Sequence, residues 1–406
     1  MSIISVFTGS HCNEELVIKE ILKKTGCKHL TDSDIVSKAA TLSGFSEGKI
    51  TKAFSAKTSV FNQFTHEKER SIVYIKLAVA ETLTEDNILI RGLASLLIPM
   101  GIAHILKVCL IADMKYRVSL ASASGVSESE ALKLIHKSDE EKISWVKIAL
   151  EKDDPWDVSL HDMLLPTHKM TPDEIAVLIK ETMDRDILKV SAAGEKAIQD
   201  FILSSQVEAE LARKGHMISA EADAGFVTIT INKNVLLLKR LEEELQSIAS
   251  KIPGVKSVAT KVGKKFYQAD VYRKYDLEMP SKLLLVDDER KFAQTLSERL
   301  RLREIGSVIA YDGEGALDMI KEEEPDVMIL DLKMPGINGI EVLKKIKQTN
   351  PQIEVIILTG QGSEADKELC MQIGAFAYLE KPVDVNVLSE TIKKANEKIK
   401  QSRKNK

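Results

Sequence analysis

Five polar side chains in the last third of the chain stand where predicted strands end. Asp287 and Asp288 follow the apolar run LLLV, and Asp331 follows VMIL. Thr359 and Lys381 follow VIIL and AYLE. Three carboxylates at one sheet edge would repel one another unless a cation joined them, and all-oxygen ligands favour a hard ion such as Mg²⁺. Any one of these residues alone would be assigned to a turn or to the solvated surface, but five such residues at the ends of four strands predict a shared site.

The elements that would position these side chains alternate regularly from Ser281 onward. Each of five strand-like runs precedes an amphipathic helical run, and the strand-like runs are KLLLVDD, SVIAYDG, DVMILDLKMP, EVIILTG and AYLEKP. Parallel strands need crossover connections, which are usually helices, and such a sheet is covered on both faces. The pattern therefore predicts a parallel α/β domain over residues 281–400, whose ligands bind at the carboxyl ends of the strands.

The same segment resembles the response-regulator receiver domain, which has a flavodoxin-like (βα)5 fold. The motifs that carry the resemblance are LLLVDDE, MILDLKMPGINGIEVL, VIILTG and YLEKPVD. The resemblance implies that Asp331 accepts a phosphoryl group from a sensor histidine kinase or a phosphotransfer protein. It also implies that Asp287 and Asp288 hold Mg²⁺ together with Asp331 and the backbone carbonyl of Lys333.

Further positions of the receiver family fall on residues around that site. By the resemblance, the Thr359 hydroxyl and the Lys381 ammonium contact the phosphoryl oxygens. Tyr378 matches the aromatic position that changes rotamer on activation, although a half-buried strand residue would also explain it. Pro382 matches a proline that usually follows a cis peptide bond. These roles predict a carboxylate nucleophile whose phosphorylation draws Thr359 inward and shifts a two-state surface.

The N-terminal section begins like a phosphate-binding domain whose loop has changed. A buried-strand pattern over residues 3–7 leads into the turn TGSHCNEELVIKE. A working phosphate loop reads GxxxxGK[ST], since glycines let the backbone wrap the phosphates and the lysine reaches the outer ones. Here there is one glycine, Gly9, no lysine at the expected place, and two acids, Glu14 and Glu15, that would repel phosphate. ATP binding in the usual manner is therefore not expected.

Residues 1–188 nevertheless resemble the cytidylate kinase-like family of P-loop proteins. The resemblance rests on the opening strand and turn, on ILIRGLASLL, on YRVSLASASGVSESEALKLIHKSDEEKISWVKIAL and on DPWDVSLHDMLLPTHKMTPDEIAVLI. It implies an α/β kinase-like fold with nucleotide-binding positions at Gly9, Ser10, Arg91 and Arg117, although surface or ion-paired roles explain the two arginines equally well. The predicted lid, residues 137–142, carries lysines where the family has arginine. We expect a degenerate domain that has lost kinase activity and acts by binding a nucleotide or a partner.

The middle section, residues 189–263, predicts a small α+β domain. A helical segment leads to the alternating strand FVTITI, a second helix and the strand VKSVATKV. It resembles the BON domain, which implies a phospholipid surface or a protein as its ligand, and a generic α+β spacer is the alternative. Residues 264–280 are rich in tyrosine and charge and poor in glycine and serine, so they predict an ordered connector.

The composition limits the classes of function. The 406 residues carry 57 Lys and Arg against 61 Asp and Glu, which gives a net charge of −4 and no electrostatic reason to expect nucleic acid as the main partner. No DNA-binding motif stands outside the predicted receiver, so direct DNA contact is not expected. The chain shows neither a secretory signal nor an uninterrupted apolar stretch that could span a membrane, and its four cysteines lack metal-site spacing. These features predict a cytoplasmic protein.

Three functions fit the whole sequence. The first is a two-component response regulator that signals through an inactive kinase-like module and a BON-like module to an unknown downstream partner. The second is a nucleoside monophosphate kinase, cytidylate-like, whose activity receiver phosphorylation controls. The third is a scaffold whose assembly receiver phosphorylation controls. The altered phosphate loop argues against the second.

Overall fold

A computed structural model of the chain describes residues 3–123, 125–232, 235, 237–263, 266, 282–303, 305–360 and 362–404. The chain divides into two compact units. Unit 1 comprises Met1–Thr58 and Glu67–Arg273, and unit 2 comprises Ser59–His66 and Lys274–Lys406. Among the described residues, no helix combines the length and the apolar character that crossing a membrane would need.

Unit 1 contains a five-stranded parallel sheet with the strand order β2-β3-β1-β4-β5. Its strands are β1 (Ile3–Thr8), β2 (Lys28–Thr31), β3 (Ile88–Arg91), β4 (Ile105–Ile111) and β5 (Met163–Pro166). Helix α4 (Asn62–Thr65) falls in this part of the sequence but belongs to unit 2. The helices of unit 1 as far as residue 213 are α1 (Glu14–Thr25), α2 (Asp32–Ser43), α3 (Glu47–Thr51), α5 (Glu67–Thr82), α6 (Met114–Ser122), α7 (Glu128–Leu150), α8 (Pro172–Met183) and α9 (Ala192–Arg213). Short 3₁₀ turns cover Lys52–Phe54, Ala94–Leu97, Val158–Leu160 and Asp186–Leu188.

The first strand shows why this sheet forms. Successive side chains of a strand point to opposite faces, and a parallel sheet covered by helices buries both. Accordingly Ile3 and Phe7 belong to one apolar cluster and Ile4 and Val6 to another. The continuous apolar run of β1 is thus explained by burial on both sides, as the sequence predicts.

A second, smaller sheet of unit 1 has the strand order β6-β7-β8, with β6 and β7 antiparallel and β7 and β8 parallel. Its elements are β6 (Ser219–Asp223), β7 (Phe226–Ile231), α10 (Leu238–Ala249) and β8 (Ser257–Val262). The strand predicted over FVTITI is confirmed as β7. Strand β6 was not predicted, because SAEAD is mostly polar and only Ala220 of it is buried.

Helix α9 joins these two parts of unit 1. Ile198 and Phe201 lie in the cluster of the large sheet, whereas Val207 and Leu211 lie in the cluster of the small one. The structure therefore groups both sides of the predicted boundary at residue 188 in one unit. The predicted connector, residues 264–280, lies outside the described residues apart from Phe266, which is buried in the small cluster.

Unit 2 contains a five-stranded parallel sheet with the order β10-β9-β11-β12-β13. Its strands are β9 (Leu283–Val286), β10 (Ser307–Ala310), β11 (Val327–Leu330), β12 (Glu354–Thr359) and β13 (Ala377–Glu380). The helices of unit 2 that follow β9 are α11 (Arg290–Arg301), α12 (Gly313–Glu322), α13 (Gly339–Thr349), α14 (Glu364–Ile373) and α15 (Val385–Lys404). The five predicted strand–helix pairs are confirmed, and the order 2-1-3-4-5 is that of the flavodoxin-like fold.

The core of unit 2 includes one residue from far upstream. Phe61, in the segment of residues 59–66 that we call the insert segment, is fully buried in an apolar cluster whose other members run from Leu284 to Ala375. The ring of Phe64 lies against Gly306, where an added methyl group would overlap it. This packing was not predicted, since nothing in the local sequence FNQFT marks Phe61 as part of a distant core.

The double role of α9 leads to a stability prediction for Phe201. Phe201→Ala would leave a cavity in the large cluster and should lower the free energy of unfolding of unit 1 by about 3–5 kcal/mol. Gln199→Ala, on the exposed side of the same helix, should change it by less than about 0.5 kcal/mol. Urea unfolding followed by tryptophan fluorescence reads unit 1 selectively, because both tryptophans, Trp145 and Trp156, lie in it. Equal midpoints for the two variants would show that the large core does not need α9.

Candidate functional site

The three acids predicted to share a cation converge at the carboxyl edge of the unit 2 sheet. Strands β9 and β11 are neighbours with Val286 opposite Leu330, so the residues that follow them lie side by side. One carboxylate oxygen from each of Asp287, Asp288 and Asp331 lies within 4.8 Å of the others. Asp287 and Asp331 are 1% and 5% exposed, so their charges are largely removed from water.

The Lys381 ammonium lies between two of these carboxylates. Its Nζ is 2.7 Å from Asp287 Oδ2 and 2.8 Å from Asp331 Oδ2. Burial disfavours the charge on Lys381, but the hydrogen bonds to both aspartates outweigh burial and raise the lysine pKa above its ordinary value. Burial also raises the pKa of Asp287, against the opposing effect of Lys381. The peptide bond between Lys381 and Pro382 is cis, as the resemblance implies.

The charge count at this site fits a divalent cation. Three carboxylates face one ammonium, so negative charge is in excess and oxygen ligands are available for Mg²⁺. The backbone N–H of Lys333 donates to Asp331 Oδ1 at 3.3 Å, which holds the following loop close to the acids. The role of the Lys333 carbonyl as a metal ligand stays a prediction.

Two residues that the sequence analysis did not select complete the surroundings of Lys381. Glu289 Oε1 lies 3.4 Å from Nζ, and the ring centroid of Phe292 lies 4.3 Å from it. A cation over an aromatic face is attracted by the ring quadrupole, most strongly where water is scarce. The sequence feature that could have identified Phe292 is an aromatic residue in the first turn of the helix that follows the paired acids.

Thr359 and Tyr378 lie on the two strands beside Lys381. Thr359 is 1% exposed at the end of β12, and its carbonyl accepts a hydrogen bond of 2.9 Å from the Lys381 backbone N–H. Tyr378 is half-buried on β13 and packs against the cluster that contains Phe61. A methyl group added at Gly362 would overlap the tyrosine hydroxyl oxygen, so this inward side-chain position requires glycine there.

The loop after Asp331 folds back over the site through a second glycine. The Gly339 N–H donates to the Leu332 carbonyl at 3.0 Å. An added Cβ at Gly339 would overlap the Asp331 carbonyl oxygen. The close approach of these two backbone stretches explains why glycine stands at this position.

In unit 1, the structure brings Gly9, Ser10 and Arg117 together. The guanidinium of Arg117 donates to the Ser10 carbonyl at 2.8 Å and to its hydroxyl at 3.0 Å. The same guanidinium forms a two-pronged pair with Asp139 at 2.9 and 2.7 Å. The Asp139 carboxylate therefore accepts from the two guanidinium N–H groups that could otherwise donate to a phosphate.

The turn after β1, where the phosphate loop was predicted, binds a carboxylate of its own chain. The Cys12 backbone N–H donates to Glu14 Oε2 at 2.8 Å, so a carboxylate accepts from the turn in the place expected for phosphate. Arg91 pairs with Glu15 at 2.7 Å and lies 3.9 Å from Glu14. The predicted lid, residues 137–142, lies within α7 and supplies Asp139. The predicted nucleotide-binding residues are therefore each occupied by contacts within unit 1.

Comparison with known proteins distinguishes the two regions of the chain. The family model of the response regulator receiver domain matches residues 283–393. This segment is a receiver domain. The model of the cytidylate kinase-like family matches residues 8–169, which include the altered phosphate loop.

Individual relatives match the receiver domain. The transcriptional regulatory protein CpxR of Escherichia coli (strain K12) is 44% identical over 102 residues, which is 25% of this chain and 43% of that protein. The chain thus spans less than half the length of this curated relative. A receiver domain protein from Clostridium thermocellum is 36% identical, with 30% of this chain and 97% of that chain covered and a TM-score of 0.29. A CheY-like receiver domain protein from Methanospirillum hungatei JF-1 is 27% identical, with the same coverages and a TM-score of 0.29.

The position of Phe292 in the receiver domain leads to a prediction about Lys381. Phe292→Leu keeps an apolar side chain but removes the aromatic face, so Lys381 should bind an anion at Asp331 less well. We expect the affinity for beryllofluoride, a mimic of an aspartyl phosphate, to fall about 3- to 10-fold in saturating Mg²⁺. Phe292→Tyr should restore it. If the leucine variant binds as tightly as the parent protein by fluorine NMR, the ring does not support the lysine.

Proposed function

We propose that this chain is a cytoplasmic two-component response regulator whose receiver domain is phosphorylated on Asp331. The donor would be a sensor histidine kinase or a phosphotransfer protein. The observation that carries the proposal is the Lys381 ammonium 2.8 Å from the Asp331 carboxylate, within a group of three acids at one sheet edge. Phosphoryl transfer to a carboxylate needs such a nucleophile and cations that offset the charge on the transferring group.

The chemistry follows from the placement of these side chains. An Asp331 carboxylate oxygen attacks phosphorus in line, the bond to the donor breaks, and an acyl phosphate forms. Asp287 and Asp288 would hold Mg²⁺ with Asp331 and the Lys333 carbonyl, and the ion would neutralise charge on the phosphoryl oxygens. Lys381, already beside Asp331, would then pair with a phosphoryl oxygen.

The switch that follows involves Thr359 and Tyr378. A phosphoryl oxygen offers the Thr359 hydroxyl a charged acceptor and draws it toward Asp331. Withdrawal of Thr359 would leave space beside the Tyr378 side chain, which already lies against Gly362, and the ring would shift into that space. Because Tyr378 packs on an apolar cluster, its movement repacks that side of the receiver domain.

For unit 1 we propose an output by binding. Arg117 is paired with Asp139, and the loop N–H of Cys12 already has the Glu14 carboxylate. This arrangement supports the loss of nucleotide kinase activity. Between α9 and α10 lies a cleft of about 600 Å³ whose lining includes Arg213, Lys214 and Lys251, together with Glu210, which pairs with Arg213 at 2.7 Å. It supports a protein or an anionic surface as ligand of the BON-like part, and direct DNA contact is not part of the proposal.

The receiver assignment predicts the effect of one substitution. Asp331→Asn removes the nucleophilic carboxylate with little change in shape, so covalent labelling by an acyl phosphate donor should be lost. Removal of Mg²⁺ by a chelator should abolish labelling of the parent protein as well. The measurement is the mass increase of the intact protein and its loss on treatment with hydroxylamine. Stoichiometric labelling of the asparagine variant would contradict the assignment.

The occupied loop in unit 1 predicts that nucleotide does not bind. ATP at millimolar concentration, with or without CMP and Mg²⁺, should leave the unfolding midpoint of unit 1 unchanged when the full chain is followed by tryptophan fluorescence. Asp331→Asn is the protein to use, because its receiver domain cannot be phosphorylated. Glu14→Gln is the matched variant, since it removes the internal anion and keeps the side-chain size. A saturable rise in the midpoint of Asp331→Asn would favour the alternative, a cytidylate-like kinase gated by the receiver domain.

A further inference from the structure

We propose that the insert segment, residues 59–66, is an intramolecular ligand of the receiver domain that is held while Asp331 is unphosphorylated and released when it is phosphorylated. This inference rests on the proposed function for the identity of the phosphoacceptor. It adds the surface through which the receiver domain acts on the rest of the chain.

The insert segment is seated in the receiver domain by one face. Phe61, Asn62 and Thr65 are buried, whereas Val60 and Gln63 are exposed. Residues three and four positions apart on a helical turn lie on the same side, so Thr65 shares a side with both Asn62 and Phe61, and these buried residues form a single contacting face. Phe61 is fully buried among residues of the sheet and of helices α12 to α14. A fully buried phenylalanine is typical of a specific packing contact, and this one comes from outside the contiguous receiver sequence.

The insert segment forms its own small turn. The Phe61 N–H donates to Ser59 Oγ at 3.0 Å, and the N–H groups of Thr65 and His66 donate to the Phe61 and Asn62 carbonyls at 3.0 and 2.9 Å. A helix of one turn is unstable by itself in water, so its order depends on packing against the receiver domain. Release would therefore expose its backbone amides to solvent exchange.

The apolar cluster that holds Phe61 also reaches the phosphoacceptor. Leu330 and Leu332, the neighbours of Asp331 in sequence, belong to this cluster, and Tyr378 packs against it. A closely packed layer changes between discrete arrangements, since its side chains interlock and leave few voids. A change at Asp331 and Tyr378 is therefore transmitted to the seat of Phe61 through side chains in contact.

Both ends of the insert segment are anchored in unit 1. Thr58 and Glu67, the residues on either side, belong to that unit. Lys68 Nζ donates to the Ser55 carbonyl at 2.6 Å, and Lys49 pairs with Glu67 at 2.7 Å. The segment is thus a closed loop with a fixed stem, and the state of the receiver domain reaches unit 1 through the chain itself.

Hydrogen exchange of the full chain, read by mass spectrometry, tests the proposal. With Mg²⁺ and beryllofluoride, peptides that cover residues 59–66 should exchange at least about tenfold faster, which corresponds to a loss of about 1.4 kcal/mol of protection. Asp331→Asn should show no such change. Bound beryllofluoride with unchanged or slower exchange of these peptides would overturn the proposal. Absence of a bound fluorine NMR signal would instead reject the proposed function of Asp331, and the two failures are therefore distinguishable.

Two variants perturb the seat from opposite sides. Phe61→Ala removes the buried ring. Gly306→Ala leaves the sequence of the insert segment unchanged but adds a methyl group on the receiver domain that would overlap the ring of Phe64. In both, residues 59–66 should exchange fast before beryllofluoride is added, while β11 and β12 stay protected. Val60→Ala, at a side chain 47% exposed, is the matched control and should behave as the parent protein. Parent-like protection of residues 59–66 in Gly306→Ala and Phe61→Ala would show that no specific seat exists.

Discussion

The contact of the Lys381 ammonium with Asp287 and Asp331 is the interaction on which the receiver domain depends. The two carboxylates come from adjacent strands and would repel one another at this depth without a cation between them. Each neighbouring feature is arranged around this pair, including the second acid, the glycine-closed loop and the threonine at the next strand end. Phosphorylation of Asp331 would change the anion that Lys381 faces, so every feature that depends on the lysine changes with it.

The two sites of the chain use similar groups with opposite charge balance. In the receiver domain, carboxylates outnumber the ammonium, and the site has capacity for a cation. In unit 1, the carboxylates of Asp139 and Glu14 already accept from the guanidinium and the loop N–H that would serve a phosphate. The first arrangement supports the phosphoryl transfer proposed for Asp331, and the second supports the proposed output of unit 1 by binding.

The receiver fold and its acids could be predicted from sequence because their signals are local. Each strand is a short aliphatic run, and each reactive residue directly follows one. Other features depend on packing between distant residues. Strand β6 has almost no apolar pattern, since only its Ala220 is buried. Helix α9 serves two cores, which one amphipathic pattern does not reveal, and the burial of Phe61 depends on residues more than 200 positions away. The internal anions of unit 1 were partly foreseen, because Glu14 and Glu15 were identified as unfavourable to phosphate, but the pairing of Arg117 with Asp139 required the structure.

The seat of Phe61 also has a consequence for the order in which the chain folds during synthesis. Phe61 leaves the ribosome about 220 residues before Leu283, the first residue of β9, which at about 5–20 residues per second is a delay of roughly 10–40 s. During that interval the flanking parts of unit 1 can form, whereas the insert segment has no receiver domain to pack against. The aromatic turn is then an exposed apolar loop on a nascent chain, a natural point for chaperone contact. Completion of the receiver domain strands would end this exposure, so the fold of this segment depends on a part of the chain made about 220 residues later.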